Sequence, residues 1–344
     1  MSGTGCLYGN KQLFCRCLAH RRHRYSKPSV MSKPAIPIHT TTRKHVRAGL
    51  TLSQREAVAC ALFIAPAVIG FLVFAAIPLL ASAWLSLTDY ALAGTPHFVG
   101  LSNYQTLLGD KFFWNAVRVT ATYALFVVPL WLVSSLLMAL VMNQPLRGVT
   151  TFRAIYYLPA LVSGVAVSML WAWMFNPRTG LINTALGLIG IEGPHWLSDK
   201  NWALTALILM TQWGIGWYLP TWLGGLQGIP TELYEAAELD GANAFSRLRF
   251  VTLPMLSPII VYNLVMNLIW ATQFFTEPMM MTGGGPEFST LSYVLYLYNN
   301  AFSYLKMGQA SAMAWLLFLF SLLLTVLVFK STPMWVHYEN ERKK

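Results

Sequence analysis

Charge is what this chain has least of. Asp and Glu supply 13 of its 344 residues, and all charged side chains together only 11%. A soluble domain is about a quarter charged, so the scarcity excludes an ordinary water-soluble fold and points to the membrane. Reactive groups are missing at membrane depth too. All seven histidines lie outside the long apolar intervals, and no cluster of His, Asp or Glu offers metal ligands. No G-x-S-x-G elbow and no G-x-x-x-x-G-K-[ST] phosphate loop occurs. The sequence therefore offers no catalytic centre, no metal site and no nucleotide or cofactor site of its own. Intramembrane carboxylates are nearly absent: Glu277, near one end of the fifth apolar interval, stands alone. Carriers driven by protons or sodium usually bury ionisable groups in their spans. That class is disfavoured but stays open as an alternative.

Cysteine is also sparse, with four residues, three of them in the N-terminal tail and the fourth, Cys60, in the first apolar interval. This pattern does not suggest an extracytoplasmic disulfide. The first fifty residues contain no acid and no apolar core of the signal-peptide kind. Cys15, Cys17, His20 and His23 crowd together there, but residues 1–54 read best as a basic, disordered cytoplasmic tail. Met31 is an alternative start. No repeat of 20–50 residues is evident.

What the chain has is apolar length. Hydrophobic residues make up 56% of it, and six intervals free of Asp, Glu, Lys and Arg stand out: 57–88, 119–146, 154–177, 201–231, 250–276 and 307–329. Each reaches the roughly 20 residues that a spanning helix needs. The expected fold is all-α, a polytopic membrane protein with six transmembrane helices over residues 55–335 and a short C-terminal cytoplasmic tail, 336–344. Two weaker uncharged stretches are expected to be a loop, 90–109, and an interfacial helix, 288–305. A surface helix is expected between 176 and 200, and "TGGGP", 282–286, reads as a flexible turn. With the N-terminus inside, the cytoplasmic segments hold 19 of the 24 Lys and Arg, as the positive-inside rule requires. The net charge of +11 is thus mostly a topology signal, and nucleic-acid binding is not expected.

One charged block interrupts the apolar series at 228–258. Pro230 and Thr231 can open a helix whose first turn carries Glu232. Gly241 can end it in the left-handed region, and Asn243 can cap a second helix, 244–250, held at the headgroups by Arg247 and Arg249. By residue physics alone this is a capped amphipathic loop or a protruding knob. Glu235-Ala236-Ala237, Gly241 and, after nine residues, Val251-Thr252-Leu253-Pro254 resemble the motif EAA-x3-G-x9-I-x-L-P, with Val251 in place of Ile. That motif belongs to the permease subunits of binding-protein-dependent ABC importers. "ALFIAPAVIGFLVFAAIPLLASAWLSLTDY", "NPRTGLINTALG" and "MTGGGPEFSTLSYVLYLYNNAF" are similar to the first permease subunit of carbohydrate importers of the maltose, lactose and glycerol-3-phosphate type, over about residues 55–335.

The resemblance implies a type I ABC permease fold in a bacterial inner membrane. It implies partners as well: a second permease subunit, separate ATPase subunits, an extracytoplasmic solute-binding protein and a carbohydrate substrate. A phosphorylated polyol or other small polar solute remains the alternative cargo. It assigns Glu235, Ala236, Ala237, Gly241, Leu253 and Pro254, within the coupling loop 228–254, to docking on the ATPase. For the solute path, the residues themselves suggest a stripe of Asn263, Asn267, Trp270, Phe274 and Glu277 on one face of the fifth span, because amides, a carboxylate and aromatic rings meet a sugar's hydroxyls and C–H faces. Gln212, Trp213 and Tyr218 of the fourth span and Gln309 and Ser311 of the sixth are further candidates.

Overall fold

The computed structural model describes residues 52–91, 94–145 and 147–336. The basic tail with its Cys/His cluster and Met31, and the chain from residue 337, lie outside the described residues. The protein forms two units, Met1–Ile64 and Ala65–Lys344. Of the first, the described part is the opening of a helix that runs from Leu52 to Phe71. The second unit holds everything discussed below except the opening turns of α1.

Twelve helical segments organise the described residues: α1 (Glu56–Ser86), α2 (Ser102–Gly109), α3 (Lys111–Met142), α4 (Val149–Leu161), α5 (Gly164–Met174), α6 (Leu181–Leu188), α7 (203–227), α8 (Thr231–Leu239), α9 (244–255), α10 (Ser257–Met281), α11 (Tyr293–Tyr298) and α12 (Met307–Trp335). Among the described residues, β structure is confined to an isolated bridge between Thr88 and Phe98. Four helices, α1, α3, α10 and α12, are long and apolar enough to cross a membrane, and α4 with α5 would make a fifth span. Helix α3 is the packing hub, touching α7, α10 and α11, while the second half of α1 packs on α12.

The two remaining apolar intervals fold as interrupted segments rather than straight helices. Between α4 and α5 the axis bends by 96°. Pro159 tightens Leu158–Leu161 into a 3-10 turn, and Val162 and Ser163 follow in extended conformation before the helix restarts at Gly164. Proline lacks the N–H that would continue the ladder. Helix α7 is α-helical at Ala203–Thr211, 3-10 at Gln212–Tyr218 and α-helical again at Leu219–Gln227. The tight stretch lies against the α4 turn: a Cβ on Gly216 would stand 2.1 Å from the Tyr156 carbonyl oxygen, so only glycine permits this approach.

Three local expectations are corrected. Residues 90–109 are not loop throughout, because Ser102–Gly109 is helical. Its Asn103 is buried and donates from Nδ2 to the carbonyls of Ser86 at 2.9 Å and Thr88 at 2.7 Å, tying α2 to the end of α1. The stretch 288–305 is not interfacial at its centre. Tyr293, Leu295 and Tyr296 are buried against α3 and α12, since the Tyr293 N–H donates to Thr120 Oγ1, its hydroxyl to the Met313 carbonyl, and the Tyr296 hydroxyl to Asp110. The TGGGP turn is pinned rather than flexible. The buried Thr290 hydroxyl donates to the Gly285 carbonyl at 2.8 Å and lies 2.7 Å from that of Thr282, which reaches the Pro278 carbonyl at 3.0 Å.

Candidate functional site: an exposed turn and a membrane-depth cleft

The charged block folds as a helix, a sharp turn and a second helix. Helix α8 starts at Thr231 after Pro230 and carries Glu232 in its first turn, where a negative charge opposes the helix dipole favourably. It ends in a Schellman cap. The Ala242 N–H donates to the Ala237 carbonyl at 2.9 Å and the Gly241 N–H to that of Glu238 at 3.0 Å, with Gly241 at φ +78. Asn243 then caps α9, its Oδ1 accepting from the Ser246 N–H at 2.8 Å. Arg247 reaches back across the turn to pair with Glu238 instead of standing free for lipid headgroups. The second helix is longer than expected, because a π-helical stretch, Leu248–Thr252, carries it on to Met255.

The turn is held from beneath and open above. Tyr234 packs on the cluster around Trp222, Leu226 and Leu256, and its hydroxyl lies 3.0 Å from Thr252 Oγ1. Glu235, Ala236 and Gly241 are exposed, Ala237 half-buried, and Leu253 and Pro254 are half-buried at the root of the knob. Beside the apex, Leu239 and Phe245 are 90% and 67% exposed. The tip of this polar knob thus carries two large apolar side chains open to the surroundings.

The candidate path residues do not form one stripe. Asn263 and Asn267 are fully buried, and neither amide has a hydrogen-bond partner among the described groups. Phe274 is buried too, stacked on Tyr123 with ring centroids 3.6 Å apart. Only Trp270 and Glu277 reach an opening. The α-helix of the fifth span stops at Thr272 and restarts at Thr276, so the face carrying Asn263 is not continued to Glu277. That opening is a cleft of about 300 Å³ bounded by Pro159 and Val162 of the bend, Trp213, Trp217 and Tyr218 of α7, and Trp270 and Glu277 of α10. Trp131 closes it from α3, its Nε1–H donating to the Thr211 carbonyl at 3.2 Å.

Of the further candidates, Trp213 and Tyr218 line the cleft, whereas Gln212 turns to α3 and accepts from Ser134. Gln309 and Ser311 are not on its wall. Trp131, Pro159, Val162 and Trp217 were missed from sequence. The available signals were the proline and Ser163-Gly164 inside one apolar run, and the glycine pair 214 and 216 between two tryptophans. Physically the cleft offers half-exposed indole faces beside one carboxylate. That combination suits a ligand with apolar C–H faces and hydroxyl edges.

Known proteins share this architecture. Residues 132–332 match the family described as "Binding-protein-dependent transport system inner membrane component". The chain is 41% identical over 286 residues to the probable ABC transporter permease protein YesP of Bacillus subtilis, covering 82% of this chain and 92% of that one. It is 34% identical over 284 residues to the trehalose/maltose transport system permease protein MalF of Thermococcus litoralis, covering 81% and 95%. In fold it superposes with TM-score 0.72 on a chain of a bacterial alginate ABC transporter crystallised with an alginate-pentasaccharide-bound periplasmic protein, at 22% identity and covering 81% of this chain and 94% of that one. An ion-gradient-driven carrier finds no support in these likenesses. The chain belongs to the binding-protein-dependent transport system inner membrane components, the membrane-embedded permeases of ABC transporters.

Proposed function

We propose that this permease is the translocation subunit of an ATP-driven importer that moves a neutral carbohydrate delivered by a solute-binding protein. The observation that carries the reading is the exposed Schellman turn at Gly241 with the Glu235-Ala236-Ala237 helix before it. A rigid, convex, partly apolar knob rooted on the bundle by Tyr234 is suited to transmit a push from a separate ATPase subunit. The same reading sets residues 228–254 and both chain ends on the cytoplasmic side, in keeping with the Lys and Arg distribution. A second permease subunit would complete the pathway beside the cleft.

The cleft favours a sugar over a phosphorylated polyol. Its wall carries Glu277 and no Lys, Arg or His, so a phosphate there would meet like charge with nothing to offset it. The name of one relative agrees: the Thermococcus litoralis protein is a trehalose/maltose permease. Asn263 and Asn267 are buried amides without hydrogen-bond partners among the described groups, and an opening of the bundle around α10 would present them to a solute in the alternate state.

The test is uptake into proteoliposomes holding the complete importer. Neutral oligosaccharide uptake should require internal ATP and survive collapse of ion gradients, and glycerol-3-phosphate should not compete. Uptake that follows an ion gradient, or efficient competition by the phosphorylated polyol, would overturn the proposal.

A further inference from the structure

A large apolar groove lies away from the cleft, between α3, α10 and α12. It measures about 580 Å³ and is walled by Trp114, Ala121 and Leu125 of α3, Leu268 of α10, and Leu316 and Phe320 of α12. Three of its wall residues carry hydroxyls, and each hydroxyl is engaged internally. Thr120 accepts from the Tyr293 N–H, Thr272 donates to the Ile269 carbonyl, and Tyr293 donates to the Met313 carbonyl. The indole N–H of Trp114 is likewise given to the Leu108 carbonyl. Each polar group on the wall already has a partner within the protein and no wall residue is charged, so the groove suits hydrocarbon.

The helix stripe that forms one wall also carries charge. Lys111 and Arg118 stand two turns apart on the same stripe of α3 as Trp114, Ala121 and Leu125, both are exposed, and neither has an ion-pair partner among the described residues. Asp110, the adjacent acid, already accepts from the Phe112 N–H and the Tyr296 hydroxyl. From Trp114 to Leu125 the wall runs 11 residues of helix, about 16 Å, close to one leaflet of a hydrocarbon core about 30 Å thick. The geometry points to a bound phospholipid, one acyl chain lying in the groove and its phosphate held by Arg118 and Lys111 in the leaflet opposite the α8 knob. A membrane helix of a partner subunit would fill the same space but would leave Lys111 and Arg118 unpaired unless it brought acids of its own.

The assembled importer, carrying the full chain, is reconstituted in phosphatidylethanolamine vesicles doped with an acyl-chain diazirine phosphatidylglycerol, irradiated, and the adducts mapped by peptide mass spectrometry. Adducts should concentrate on peptides holding Ala121 and Phe320 over the more exposed faces at Phe74 and Phe329. Arg118→Gln should lower groove labelling about fivefold, Arg118→Lys should preserve it, and Ala124→Trp, which fills the groove, should abolish it in a complex that still assembles. Uniform labelling of all apolar faces, an unchanged yield in Arg118→Gln, or cross-links from the groove to a partner subunit without lipid adducts would each overturn the assignment.

Discussion

Gly241 offers a way to separate backbone shape from surface chemistry at the knob. The residue sits at φ +78, and a Cβ built on it would meet no atom within 4 Å. A side chain there costs no clash, only the left-handed conformation, about 1–2 kcal/mol for an ordinary L-residue. Gly241→Ala should therefore depopulate the Schellman turn roughly 5- to 30-fold relative to its unwound form. Asn and Asp tolerate this region better than Ala and share one shape, so Gly241→Asn and Gly241→Asp differ chiefly in charge. If the apex is buried against an ATPase, an unpaired carboxylate there costs about 3–5 kcal/mol, a loss of docking affinity of about 100-fold or more. The assay is solute-stimulated ATP hydrolysis and uptake by the purified complex, with the amount of membrane-inserted permease measured alongside. Gly241→Asn should stay close to the parent, Gly241→Ala should fall partway, and Gly241→Asp should lose coupling while remaining in the membrane. Equal coupling in the Asn and Asp variants would refute the idea that the apex meets a partner surface.

Three further outcomes are expected. Glu277→Gln and Trp270→Ala should each lower sugar uptake about tenfold with ATPase association unchanged in pull-down; unaltered transport in both would remove the cleft from the path. Gly308→Ala should destabilise the fold by about 1–3 kcal/mol, seen as a lower melting temperature, because its Cβ would stand 2.1 Å from the Thr88 carbonyl oxygen, whereas Gly224→Ala, facing open space, should not. Burial, reinforced by its hydrogen bond to Asp110, pushes the Tyr296 phenol from 10.0 up to about 12. The folded state holds this proton more tightly than the unfolded chain does. Its contribution is therefore complete below pH 10 and lost as pH rises through about 12, and Tyr296→Phe should flatten thermal stability across that window.

Local physics made much of this protein legible before folding was considered. A bilayer demands long uncharged runs, so α1, α3, α10 and α12 were visible as apolar intervals. The knob was visible because its devices act within a few residues: Glu232 in a first turn, Gly241 at a left-handed position, Asn243 on the N–H groups just beyond it. The interruptions carried local signals, Pro159 with Ser163-Gly164 and the glycines 214 and 216, but their geometry is set by distant partners. The bend of 96° after α4 and the tight stretch in α7 interlock where the backbone at Gly216 meets Tyr156. Helix α2 is tied down by Asn103 reaching back to Ser86 and Thr88. The cleft is the clearest case. Helical periodicity put Asn263, Asn267, Trp270, Phe274 and Glu277 on one side, but the chain breaks after Thr272, Phe274 stacks on Tyr123 and the amides are sealed in the interior. Spacing along one helix sets which residues share a face. Which faces meet cargo, lipid or protein is decided by what packs against them, and only the tertiary structure holds that information.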